Sequence, residues 1–117
     1  MSNHLKINYL EIPAHDLEAV KSFFTQVFDW QFTDYGPDYC AFADSAGIDG
    51  GFYRSSQTST VDQGSVLIVF YSEDLSATQD LIVSAGGKIH QQMFSFPGGQ
   101  RFHFLDPCGN EFAVWSE

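Results

Sequence analysis

Polar and apolar residues alternate from Leu5 to Ile12, a period of two that predicts a half-buried strand. The period then changes. Leu17, Val20, Phe23, Phe24, Val27 and Phe28 recur at intervals that place them on one face of a helix. Asp16 stands just before that stripe, where its carboxylate can accept a free amide hydrogen of the first helical turn. Three short runs follow, Trp30–Thr33, Tyr39–Ala43 and Ile48–Arg54, separated by the turn residues Gly36-Pro37-Asp38 and Asp44–Gly47. This half reads β-α-β-β-β.

The polar stretch Ser55–Gly64 is expected to be a mobile link, after which the plan restarts. Ser65–Tyr71 is apolar and rich in strand-forming residues, Asp74 repeats the capping position, and Leu75–Ala85 predicts a second helix. Gly86-Gly87 stops that helix, because glycine adopts the left-handed conformation cheaply. Lys88–Phe94, Gln100–Leu105 and Glu111–Trp115 complete the pattern as strands. A shift of 58 residues places Asp16-Leu17-Glu18-Ala19 on Asp74-Leu75-Ser76-Ala77, in step with the repeated element order. An internal duplication follows. The expected architecture is one α+β domain over residues 1–117, with module one at 1–54, a link at 55–64 and module two at 65–117. Its two βαβββ modules would form a curled mixed sheet around a cavity, with the helices on the outer face.

Composition narrows the function classes. Fifteen acidic residues against five Lys and Arg give a formal net charge of -10, which excludes nucleic acid and anionic membrane surfaces as partners. A small anion held by one local arginine remains compatible with that charge. The two cysteines, Cys40 and Cys108, form neither a CxxC motif nor a disulfide framework. No apolar run approaches the roughly 20 residues of a membrane span, and MSNHLKINY lacks a signal-peptide core. A cytoplasmic location is the resulting expectation.

Ile12-Pro13-Ala14-His15-Asp16-Leu17-Glu18-Ala19, with Phe23-Phe24 and Val27-Phe28-Asp29-Trp30, resembles the opening of the vicinal oxygen chelate superfamily. Phe102-His103-Phe104-Leu105-Asp106-Pro107-Cys108-Gly109-Asn110 resembles its terminal hairpin. That superfamily includes glyoxalases, bleomycin and fosfomycin resistance proteins and extradiol dioxygenases. The resemblance implies paired βαβββ modules curled around a ligand cavity, commonly as a homodimer. It also implies, for metal-dependent members, a divalent ion held by the first strand of each module and by the last strand.

Those implied ligand positions can be counted. Seven residues before the helix-start aspartates stand Tyr9 and Leu67, and three residues after the turn asparagine stands Ala113. Only the tyrosine offers a donor atom, so the usual metal centre is not expected. Because residues two apart on a strand share a face, Tyr9 lies with Glu11, Leu67 with Val69 and Tyr71, and Ala113 with Glu111 and Trp115. His103, three residues before the turn Asp106, stands where the resemblance implies an active-site tyrosine of the dioxygenases, and Arg101 shares its face of that strand. The candidate catalytic groups are therefore Glu11, His103 and Glu111, and the candidate ligand contacts Tyr9, Leu67, Val69, Tyr71, Arg101, Ala113 and Trp115. Arg101 has a purely structural alternative, pairing with Glu111 across the hairpin. His4, His15 and His90 show no ligand spacing.

Three functions fit these residues. The leading one is binding of a small organic molecule without a metal, as in the bleomycin-resistance branch that the chain resembles. Arg101 and His103 would hold an anionic or carbonyl group, while Glu11 and Glu111 would accept from hydroxyl or amine donors. The second is isomerase or lyase chemistry α to a carbonyl, with Glu11 or Glu111 as base and His103 as acid. Its metal-dependent variant places a displaced divalent ion on Glu11, His103 and Glu111. The third is a dimeric interaction module with no ligand.

Overall fold

The computed structural model describes residues 2–117. Its elements follow the duplicated plan. Module one contains β1 (Tyr9–Ala14), α1 (Leu17–Phe28), β2 (Phe32–Asp34), β3 (Tyr39–Phe42) and β4 (Asp49–Arg54). Module two contains β5 (Ile68–Tyr71), α2 (Leu75–Ser84), β6 (Lys88–Phe96), β7 (Gly99–Leu105) and β8 (Glu111–Ser116). Both helices begin as their caps require: Asp16 accepts from the Ala19 amide and Asp74 from the Ala77 amide, each at 3.1 Å. Asp29 closes α1 in the left-handed conformation, its amide reaching the last-turn carbonyls. Gly86 and Gly87 close α2.

The curled sheet is realised as two four-stranded sheets, ordered β1-β4-β3-β2 and β5-β8-β7-β6. In each, the first strand runs parallel to the last of its module, and the remaining pairs are antiparallel. β1 begins at Tyr9, four residues later than alternation alone suggests, because its partner β4 begins at Asp49 opposite Tyr9. Beyond that point Leu5 and Ile7 have no partner strand and are exposed. The same rule leaves Leu67 just outside β5.

Strand parity separates the two faces. Ile12, Phe42, Phe52, Phe102, Phe104, Phe112 and Val114 point to the helices and are buried. One hydrophobic cluster spans both modules, with Phe24 of α1 touching Phe52 of β4 and Phe112 of β8. The alternate positions, among them Tyr9, Glu11, Tyr39, Arg101, His103, Glu111 and Trp115, occupy the opposite face. Equivalent rows run across the two sheets: Pro13, Tyr53 and Tyr39 in module one match Tyr71, Trp115 and Arg101 in module two.

The link is tied down, contrary to the expectation of mobility. Asn110 and Glu111, at the entrance to β8, hold it through three hydrogen bonds. The Ser59 amide donates to Asn110 Oδ1, the Glu111 amide to the Ser59 carbonyl, and the Val61 amide to Glu111 Oε1. The sequence is polar there because the link satisfies its backbone with side chains from module two.

Candidate functional site

In module one, a tyrosine pair converges on a carboxylate. Tyr39 lies two strands from Glu11, and the intervening Gly51 has no side chain to keep them apart. A methyl group at position 51 would lie 2.5 Å from Tyr39 Cζ and 2.8 Å from the Cys40 carbonyl. With that space open, the Tyr39 hydroxyl donates to Glu11 Oε2 at 3.0 Å. Its only hydrogen is used in that bond, so the Tyr9 hydroxyl, 2.6 Å away, donates to Tyr39. Burial, followed by these contacts with Tyr9 and Glu11, raises the Tyr39 pKa well above the ordinary tyrosine value.

In module two the corresponding face carries Arg101, His103 and Glu111. Arg101 Nη2 lies 2.9 Å from His103 Nε2, and His103 Nδ1 lies 2.8 Å from Glu111 Oε2. A guanidinium can only donate. His103 Nε2 is therefore the acceptor, its hydrogen sits on Nδ1, and the neutral imidazole donates to Glu111. The other carboxylate oxygen takes the Val61 amide at 3.0 Å, with His90 Nε2 at 3.9 Å. Burial pushes the Glu111 pKa up, but the donors His103 and Val61 outweigh it and bring it below the ordinary value. Arg101 and Glu111 do not pair directly across the hairpin. The strand register sets Arg101 opposite Trp115, and His103 stands between the two charges.

The turn joining β7 to β8 is built around a second buried carboxylate. Asp106 accepts from the Cys108 and Asn110 amides and from Asn110 Nδ2, at 2.8–3.0 Å. Burial nevertheless raises its pKa to about 6, against the pull of those donors. Asp106 and Glu111 therefore act oppositely on stability. Between the ordinary aspartate value and about 6, the folded state binds the Asp106 proton more tightly than the unfolded chain does, so stability falls as pH rises through that window. Glu111 contributes stability above its ordinary pKa and loses it as pH falls through its lower folded value. Thermal unfolding against pH is expected to show stability rising as pH falls from 7 to about 4.5, levelling where the two effects oppose each other, and falling only below about 3.8. A steady decline from pH 7 downward would contradict this assignment.

A cleft of about 730 Å³ opens where β1, the link and the start of β8 meet. Tyr9, Glu11 and Tyr53 from module one, Ser59 and Gln63 from the link, and Glu111 from β8 are among the residues that line it. Of the residues singled out by sequence, the structure brings Tyr9, Glu11 and Glu111 to this cleft. Arg101, His103, Val69, Tyr71, Ala113, Trp115 and Leu67 are not part of its wall. Both Glu111 oxygens are already engaged, whereas Glu11 Oε1 has no hydrogen-bond partner among the described residues. Tyr39 escaped the sequence reading, since only the sheet order and the gap at Gly51 reveal its reach.

The superfamily's metal positions do not fit an ion. Tyr9 gives its hydroxyl to Tyr39, while Leu67 and Ala113 have no donor atom. Among the described residues, no three His, Cys, Asp or Glu side chains gather closely enough to hold one. His103 pairs with Glu111, and Glu11 stays with the tyrosines of module one.

Residues 6–114 match the family model of the Glyoxalase/Bleomycin resistance protein/Dioxygenase superfamily, and the chain belongs to that superfamily. No curated protein sequence matches the chain significantly. The fold is similar to that of a glyoxalase-related enzyme from Fulvimarina pelagi, with TM-score 0.78 and 17% identity over 97% of this chain and 88% of the other. It is also similar to a lactoylglutathione lyase from Agrobacterium tumefaciens, with TM-score 0.72 and 15% identity over 96% and 93%. TioX from Micromonospora sp. ML1 gives a TM-score of 0.69 at 14% identity over 92% and 94%. Among the described residues, no helix is long and apolar enough to cross a membrane.

Proposed function

We propose that this chain binds a small neutral or cationic organic molecule in the cleft between β1, the link and β8, without a metal ion. The reading rests on the charge of the cleft wall. Glu11 and Glu111 line it, while no Lys, Arg or His does. Glu11 presents a carboxylate oxygen free to accept from an amine or hydroxyl group, and Tyr39 fixes the carboxylate from behind. Tyr9 and Tyr53 provide aromatic surface for the organic part. The net charge of -10 favours a cation or a neutral donor over an anion at this position.

2-Phenylethylamine is a suitable probe, combining one aromatic ring with one ammonium group. Calorimetry is expected to show saturable binding to the native protein and an affinity about tenfold lower for Glu11→Gln, which removes the charge and keeps the shape. Equal affinity of the two proteins would refute the role of Glu11. No saturable binding of 2-phenylethylamine or of neutral 2-phenylethanol to the native protein would refute the cleft as a site for this class of ligand.

A further inference from the structure

The chain has five Lys and Arg residues, and their partners differ. Lys21 pairs with Glu18 and Asp34, and Arg54 with Asp38 as well as the His15 and Pro37 carbonyls. Lys6 and Lys88 are exposed to solvent. Arg101 is different. It is half-buried, its hydrogen bond goes to the neutral His103, and no carboxylate lies within ion-pair distance of it among the described residues. Its Nε is buried with no acceptor among the described residues. A guanidinium withdrawn from water without an anion is an incomplete arrangement, because desolvation penalises the charge and nothing opposite compensates it.

The surroundings of Arg101 indicate what would complete it. The guanidinium lies over the Phe94 and Phe96 rings, 5.8 Å from each centroid. Phe96 packs on Trp115 at 6.1 Å, and Trp115 on Tyr71 at 5.1 Å. Trp115 is also the cross-strand neighbour of Arg101 on the same face. An aromatic row therefore runs from the cation to Tyr71, which is half-exposed. A planar guanidinium matches a carboxylate, and an aromatic row matches a ring. A doubly charged phosphate suits the position less well, since one cation in a chain of net charge -10 would face it alone.

We propose that Arg101, with Phe96, Trp115 and Tyr71, forms a second binding position for a small aromatic carboxylate on the open face of module two. The position is separate from the acidic cleft and does not depend on the function proposed for it. The two sites select opposite charge, one through Glu11 and the other through Arg101.

Phenylacetate is the probe, followed by calorimetry and by tryptophan fluorescence. Trp30 is buried in the core, so a change in emission reports on the half-buried Trp115. Saturable binding of phenylacetate to the native protein is expected, with 2-phenylethanol, its neutral counterpart, changing the Trp115 emission only at concentrations at least about tenfold higher. Arg101→Gln is expected to bring phenylacetate down to the affinity of the alcohol, and Glu11→Gln to leave it unchanged. Absence of saturable phenylacetate binding overturns the proposal. So does an equal midpoint for the acid and the alcohol in the Trp115 emission, a comparison that needs no variant, is blind to alcohol bound in the cleft, and decides the matter even where Arg101→Gln fails to fold. A gain in phenylacetate affinity in Glu11→Gln would place the carboxylate in the cleft, where that charge repels it, and would also overturn the proposal.

Discussion

Asn110→Ala is expected to destabilise the fold by about 3 kcal/mol, the cost of leaving several buried polar groups unpaired. Asn110 is fully buried. Its Nδ2 donates to the Pro13 carbonyl at 2.7 Å and to Asp106 Oδ2 at 3.0 Å, while its Oδ1 accepts the Ser59 amide at 2.9 Å. One side chain thus joins β1 of module one, the link and the turn before β8. Alanine would strand the Pro13 carbonyl and the Ser59 amide together, and would remove a donor from the Asp106 carboxylate. Asn110→Asp keeps the shape but places a second carboxylate beside Asp106, so it is expected to be no better tolerated. Urea unfolding of the native and alanine proteins measures the difference. A loss below about 1 kcal/mol would show that the two modules do not rely on this residue.

The second large effect lies in the core. Phe24→Ala is expected to cost about 3–5 kcal/mol, the usual penalty for deleting a buried aromatic ring and leaving a cavity. Phe24 is fully buried on α1. Its ring stacks on Trp30 at 4.7 Å and packs on Phe23 at 5.0 Å and on Phe52 and Phe112 at 5.4 Å. Those neighbours come from both sheets, so the cavity cannot close by shifting one of them. Val83 on α2 provides the contrast: it is half-exposed, and Val83→Ala should change stability by no more than about 0.5 kcal/mol. Urea unfolding read by tryptophan emission reports on both variants, with Trp30 lying directly against the Phe24 ring. A Phe24→Ala loss no larger than that of Val83→Ala would mean that the two sheets do not share this core.

The helices and most strands were legible because their signals are local. Asp16 and Asp74 each precede an apolar stripe, and the hydrogen bond that each cap makes reaches only three residues along the chain. Parity within each strand was legible for the same reason, and with the positions that the resemblance implies it placed Glu11, Arg101, His103 and Glu111 on one kind of face before any sheet order was known. What depends on the order of strands was not legible. Tyr39 reaches Glu11 only because β4 lies between β3 and β1 and presents a glycine there. The link looked mobile because its partners, Asn110 and Glu111, lie about fifty residues further along. His103 was identified as a candidate from the resemblance, but its tautomer follows only from having Arg101 on one nitrogen and Glu111 on the other.

The bond from Asn110 to the Pro13 carbonyl spans 97 positions of sequence. On a ribosome adding about 5–20 residues per second, the acceptor emerges some 5–20 s before its donor exists. Module one must therefore wait with one carbonyl open, and its Phe24 ring unmatched by Phe112, until the final hairpin is made. Closure of the fold thereby waits on the synthesis of β8 and is not governed by the speed at which β1 forms.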